Sequence, residues 1–427
     1  MRTLFARSAC AKVWVNAVAA GLLLCAVFIG VDAWAEGMAR GVVVPKTALS
    51  ADDLALVVND DDPLSVATAS YYQERRGIPD ANVVRVRFPP GLSTMTRDLF
   101  IRVKDEIDRQ TPASVQAYAL AWTTPYQVDC MSMTSAVAMG FDPAYCSPTC
   151  GPTQPSGYFN SPSHAPFSDH KIRPAMMLAG SSLSDVKGLI DRGVAADSTF
   201  PRGTGYLLNT WDKHRSVRAV TFDEALALGQ LFKLRRFNRN AIRNEKDVLF
   251  YFTGLKEVPY LRTLHFVPGA MADHLTSTGG RLTDSDQMSS LRWLEAGATA
   301  SYGTVVEPCN HLVKFPHPTV AMWHYATGAT VLEAYWKSVV SPGEGVFVGE
   351  PLAKPFAPAW AALTGNRVRF RLFVPSLSAA IMERATSPVG PYHPFGESYF
   401  LAPGLNELDV TLPDPLWYRV AFRPPSS

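Results

Sequence analysis

The segment VVEPCNH, Val305 to His311, brings a carboxylate, a thiol and an imidazole into close sequence proximity as Glu307, Cys309 and His311. A thiolate can attack a carbonyl while an imidazole carries its proton, so the trio reads as a nucleophile beside its base. The competing reading spends Cys309 on a structural bond. A second cluster lies in ADHLTSTGG, where Asp273, His274, Thr276 and Ser277 precede Gly279 and Gly280. Serine with histidine and aspartate suits acyl transfer, and loop glycines can bring backbone N–H groups to an anion or oxyanion. Sequence neighbours seldom point together, however, and Asp273 with His274 can equally cap a turn or satisfy a buried backbone group.

Further groups that could face the same crevice are Asp61, Arg173, Asp212, Arg215, Arg218 and Lys314. The arginines of WDKHRSVR suit a carboxylate or phosphate ligand, or else pair with acids such as Asp212 and cover apolar surface with their stems. Asp273, His274 and His311 lack any recognised metal-ligand spacing, and CSPTC (Cys146 to Cys150) is half a metal site with nothing to complete it. Neither a metal nor a cofactor is expected.

The compartment bears on Cys309. Arg2, Arg7 and Lys12 precede an apolar stretch from Ala17 to Val31, followed by DAWAEG, which has the order of a secretory signal peptide over residues 1–35. Cleavage after Ala35 predicts a secreted or periplasmic protein with no stable membrane span. It also removes three bases and one acid, so the formal charge of +2 falls to about 0. Without a basic block, nucleic acid has no electrostatic foothold. The cysteines that remain are Cys130, Cys146, Cys150 and Cys309, and in an oxidising compartment they point to disulfides.

The elements that must position these groups follow from the apolar pattern. LALVV (Leu54 to Val58), VVRVRF, Val115 to Trp122, RPAMMLAG and GTGYLLNTW read as short buried strands. Helical stretches at Ser65 to Arg76, Thr96 to Arg109 and SLSDVKGLIDRGVAAD separate them, the last with Ser182 or Ser184 as N-cap. Continuous apolar strands alternating with helices call for a parallel sheet covered on both faces, with sites at the carboxyl ends of its strands. Phe222 to Asn244 reads as a helix with a basic end. DVLFYFTGL and LHFVPGAMADHL read as further strands, and DQMSSLRWLEAGATASYGTVV as a helix running into a last one, with the unit closing near GVFVGEPLAKPF. If Cys130 and Cys309 both follow strands at the carboxyl edge, the expected bonds are Cys130 with Cys309 and Cys146 with Cys150.

These readings divide the chain into a linker at 36–51, a first α/β subdomain at 52–130, and a Pro/Gly/Ser-rich insertion at 131–173. The insertion is expected as a lid or a disulfide-tied excursion. A second α/β subdomain follows at 174–358. Short alternating segments then predict a small β-sandwich-like domain at 366–427.

The order of DDLALVVNDDDPLSVATASYYQERRGIP, RPAMMLAGSSLSDVKGLIDRGV, VLFYFTG, VPGAMADHLTSTGG and LEAGATASYGTV resembles the α/β catalytic unit of gingipain-type cysteine peptidases, which has a caspase-like fold. More closely, TSTGG, GATASYGTVVEPC, KFPHP and VGEPLAKPF resemble an uncharacterised family of secreted bacterial proteins. The gingipain resemblance covers about residues 52–355 and implies a caspase-like sheet sandwich followed by a β domain. It also implies a His-Gly at the end of one strand and a cysteine at the end of the next. Thr253-Gly254 and Gly269-Ala270 stand at the matching places, so the resemblance comes without its dyad. The expectation is a binding or accessory module for a protein, peptide or small-molecule ligand, with a hydrolase using the 273–280 and 307–311 loops as the alternative.

Overall fold

The computed structural model describes residues 40–147 and 149–423, so the expected signal peptide lies outside the described residues. Ten strands build the main sheet: β1 (Leu54–Asn59), β2 (Val83–Val86), β3 (Ala117–Leu120), β4 (Ala175–Met177), β5 (Thr204–Asn209), β6 (Lys233–Asn238), β7 (Val248–Gly254), β8 (Phe266–Leu275), β9 (Ala300–Thr304) and β10 (Gly345–Gly349). Their order across the sheet is β6-β5-β7-β8-β9-β10-β4-β3-β1-β2. Every neighbouring pair is parallel except β9 with β10, where Ala300 faces Gly349 and Thr304 faces Gly345 in antiparallel register. The sheet is therefore two parallel halves running in opposite directions. The carboxyl ends of β5, β7, β8 and β9 share one edge, and those of β1, β3 and β4 lie on the other.

The strands are where the apolar runs placed them because helices and loops cover both faces: β1 and β7 are buried along their whole length. Helix α1 (Pro63–Arg76) starts with the Asp62 carboxylate accepting the Leu64 N–H and stops at Gly77 in a left-handed conformation. Helix α2 (Arg97–Gln110) buries Phe100, Val103 and Ile107, a spacing that puts one stripe on the sheet. Helix α4 (Leu183–Ala196) begins as expected with Ser182 accepting the Asp185 N–H.

Three stretches differ from the sequence reading. Only Phe222–Leu226 of the expected basic helix is α-helical, and KLRRFN forms β6. As an edge strand paired only to β5, β6 turns its charges to solvent, which discourages further pairing. The 131–173 insertion contains α3 (Met133–Met139), buried from Met133 through Ala138, so part of it belongs to the core. Within the linker, Gly41–Val43 pairs in parallel with the strand near the C-terminus at Trp417–Arg423. Pattern reading passed over α6 (Pro318–Ala326) and α7 (Val331–Trp336), which have almost no polar face to give a period. Trp336 of α7 stacks on Phe347 of β10 with ring centroids 4.5 Å apart.

Beyond β10 lie β11 (Ala359–Ala362), β12 (Arg367–Val374), β13 (Ser378–Ala385), β14 (His393–Leu401), β15 (Gly404–Thr411) and β16 (Trp417–Arg423). They form a β11-β12-β15 sheet and, with Gly41–Val43, a second sheet ordered Gly41–Val43, β16, β13, β14. Strand β12 alternates between buried and open positions along its length, and its Phe370 and Leu372 share one apolar cluster with Met382 and Val420 of the other sheet. Phe373 on β12 packs on Phe356 and Phe232, with centroids 4.8 and 5.9 Å apart, joining these strands to the main sheet.

Candidate functional site

The carboxyl edge of β5, β7, β8 and β9 gathers most of the chemistry-bearing residues. A cavity of about 250 Å³ opens there between the loop after β5 (His214, Arg215), the end of β8 (Thr276, Ser277) and the loop after β9 (Glu307, Cys309). Such edges of parallel sheets hold sites because several loops converge there without strand packing to fill the space.

Arg218 explains how the edge is built. It follows β5 on a 3-10 turn and is 2% exposed. Its guanidinium donates to the carbonyls of Thr253 (2.9 Å) and Pro316 (3.2 Å), lies 5.3 Å from the Phe252 ring, and pairs with the Asp273 carboxylate at 2.5 Å. Burial pushes the Asp273 carboxyl above its ordinary range, and the adjacent guanidinium pulls the other way. Arg218 and Asp273 are thus committed to each other and to the ends of β7 and β8.

Asp273 and His274 lie inside β8, both 1% exposed, as the strand reading of LHFVPGAMADHL has them. The β8 run extends to Leu275 because its C-terminal half is buried on both faces. His274 Nδ1 accepts the Trp293 indole N–H at 2.9 Å, and Nε2 lies 3.0 Å from the Met288 carbonyl. Burial holds this imidazole down to about 3, so it stays neutral at physiological pH. Its nitrogens serve the core, and none is left for a nucleophile. Gly269 and Ala270 also lie within β8, so the residues at the end of the strand after β7 are His274 to Ser277.

The 276–280 loop is tied rather than open to an anion. The Gln287 side-chain oxygen accepts the Ser277 and Thr278 N–H groups at 2.9 and 3.3 Å and the Thr276 hydroxyl as well. Gly280 N–H donates to the Thr304 carbonyl at 2.9 Å, and a Cβ at Gly280 or Gly303 would run into the opposite backbone. Close approach of two backbone segments, rather than an oxyanion pocket, accounts for Gly280, whereas a Cβ at Gly279 would first meet the Thr276 side chain. Gln287 was not legible beforehand, because its partners lie nine to eleven residues upstream.

Cys309 is bonded to Cys150, and Cys130 to Cys146, with Cα separations of 5.2 and 5.6 Å. All four cysteines are oxidised as expected, but the expected pairing is wrong. The chain after β3 returns to the Pro342–Glu344 turn, where Ser135 donates to the Pro342 carbonyl and the Ser147 N–H to Glu344, and there Cys130 meets Cys146 instead of Cys309. Cys309 has φ of 51°, and the Glu307 carboxylate accepts its N–H at 2.8 Å, so Glu307 closes a turn. The Glu307 carboxylate and the sulfurs of Cys150 and Cys309 lie within 4.8 Å of one another, but sulfurs bonded to each other offer a metal no thiolate pair. His311 is exposed, with Nε2 3.2 Å from the Cys150 carbonyl.

The remaining candidates divide by place. Arg215 reaches the cavity, donating Nε–H to the Thr276 hydroxyl (3.0 Å) while pairing with Asp212 (2.8 Å). Thr253 is buried. Gly254 packs so tightly under the Arg215 carbonyl that no side chain fits there. Lys314 is buried against Glu344 at 2.8 Å. Asp61 follows β1 on the opposite edge, five strand positions from β8 or about 24 Å away, and pairs with Arg87 at 2.6 Å. Arg173 precedes β4, donates to the Val115 carbonyl and lies 3.3 Å from the Phe167 ring. His214, exposed on the cavity wall, was not singled out from its sequence.

No family model matches the chain, and no curated protein matches it. Among solved structures, one described as a protease superposes with a TM-score of 0.41 at 8% identity, covering 88% of this chain and 98% of that one. The complex of Porphyromonas gingivalis RgpB pro- and mature domains superposes with a TM-score of 0.43 at 8% identity, covering 86% of this chain and 99% of its own. Likeness of this size transfers neither residues nor activity to this chain.

Proposed function

We propose that the protein is a secreted or periplasmic binding module whose peptide or small polar ligand occupies the cavity at the carboxyl edge of β5, β7, β8 and β9, in a peptidase-like fold that does no thiol peptidase catalysis. The observation that carries this reading is the commitment of the reactive groups beside the cavity. Cys309 is in a disulfide, and His274 has both nitrogens bonded to the core. What remains at the cavity is a binding set: Arg215 and His214 as cation and donor, Glu307 as acceptor, and the Ser277 hydroxyl. A guanidinium held in place by Asp212 suits a peptide carboxylate or a carboxylate side chain. The C-terminal β sheets and the linker before β1 fit an accessory role outside the α/β part.

The experiment is retention of a pooled tetrapeptide library on the immobilised, disulfide-intact protein, compared with Arg215→Ala. Retention lost in the variant supports the reading; equal retention, or none by either protein, refutes it. A hydrolase remains the second reading because Ser277 and His214 line one cavity. Turnover of library peptides that disappears in a folded Ser277→Ala protein would favour it.

A further inference from the structure

The two disulfides have opposite surroundings. Cys130 and Cys146 are 9% and 6% exposed and belong to the main apolar cluster. Cys150 is exposed, and half-buried Cys309 lines the cavity with His214, Arg215 and Ser277. Cys309 also sits at φ of 51°, a region that is strained for a residue with a side chain. The segment carrying Cys150 is anchored on either side: Ser147 N–H donates to Glu344 at 2.9 Å, and the Thr153 carbonyl accepts the Ser341 hydroxyl at 3.2 Å. Ser147 and Thr153 thus stay tied on either side of Cys150 when the bond breaks.

We propose that Cys150–Cys309 is an exchangeable disulfide, a thiol-modification site for a small dithiol or a dithiol protein, whereas Cys130–Cys146 is permanent. In the first step a thiolate of the dithiol attacks the exposed Cys150 sulfur. A new sulfur–sulfur bond forms there, the Cys150–Cys309 bond breaks, and its electron pair leaves with Cys309 as a thiolate in the cavity. The second thiol, having given its proton to solvent, attacks the mixed disulfide. Cys150 is released as a thiolate and the dithiol closes to its own disulfide, so two electrons have passed to the protein. Access selects which sulfur is attacked, and a leaving thiolate is favoured by nearby cations. Arg215 supplies one on the cavity wall, while Glu307 opposes it from within 4.8 Å of both sulfurs.

This exchange goes beyond the binding role and is tested without any ligand. The native protein is exposed to graded dithiothreitol, alkylated and mapped by peptide mass spectrometry. Cys150 and Cys309 should label at least about tenfold faster than Cys130 and Cys146. In parallel, Cys150→Ser should leave a Cys309 thiol that reacts with an aromatic disulfide reagent without denaturant. Four cysteines labelling together, or Cys150 and Cys309 labelling only on unfolding, would overturn the proposal. The alkylation arm decides even if the variant fails to fold.

Discussion

The Trp293 indole N–H donates to His274 Nδ1 at 2.9 Å, which fixes the imidazole as the tautomer carrying its proton on Nε2, toward the Met288 carbonyl. A histidine that looked like a general base is thereby a connector between β8 and the start of α5 (Leu291–Ala296).

A pH dependence follows from that burial. His274 is held down to about 3 and His324 to about 4, chiefly by burial, against an ordinary value of 6.5. Because the unfolded state binds these protons first, their contribution is intact above about pH 6.5 and is lost as pH falls toward 4 and then 3. Each approaches about 1.4 kcal/mol per pH unit within its window. Urea midpoints at pH 7 and 4.5 check this. The His274→Leu protein should be less stable at pH 7, by about 1–3 kcal/mol for each stranded partner, yet show the shallower slope. A slope equal to that of the wild type would contradict the assignment.

Arg218 and Asp273 should behave as a buried pair. Arg218→Met strands the carboxylate, and about 3–5 kcal/mol of stability should be lost, read from chemical denaturation. Adding Asp273→Leu should recover much of that loss. Equal and additive costs would mean the two do not interact.

Non-reducing peptide mapping of the purified protein should yield Cys130 linked to Cys146 and Cys150 linked to Cys309. Recovery of a Cys146–Cys150 peptide would reject this connectivity.

Gly303→Ala should destabilise by about 1–3 kcal/mol or more, since its Cβ has only the Gly279–Gly280 backbone to push against. Gly254→Ala should displace the Arg215 loop as well, and so weaken peptide retention beyond its effect on stability.

The disulfide-intact protein should cleave no member of a peptide library in a manner that an alkylating reagent abolishes. Alkylation-sensitive cleavage under non-reducing conditions, lost in a folded Cys309→Ala protein, would return Cys309 to the role of nucleophile.

The sequence by itself determined the elements that rest on local apolar pattern and caps. LALVV, VLFYFTG and the Ser182-capped helix are where their residues placed them, because a buried strand needs a continuous apolar run and a helix start needs an oxygen for its free N–H groups. The alternating segments after Asn366 likewise foretold strands. KLRRFN misled because charge on an exposed edge strand looks the same in one dimension as charge on a helix face.

Only the tertiary structure decided what the candidate residues are for. Strand direction is a relation between distant segments: the antiparallel β9–β10 junction sends the two halves to opposite edges and separates Asp61 from the cavity, while the cysteine pairing follows from how the segment from Cys130 to Cys150 packs beside the turn before β10. Whether His274 is a base or a core residue depends on Trp293 and Met288, and whether Gly280 serves an anion depends on Thr304. A side chain's chemistry is set by what desolvates it and which partner satisfies it, and those partners are brought in by folding rather than by neighbouring positions in the chain.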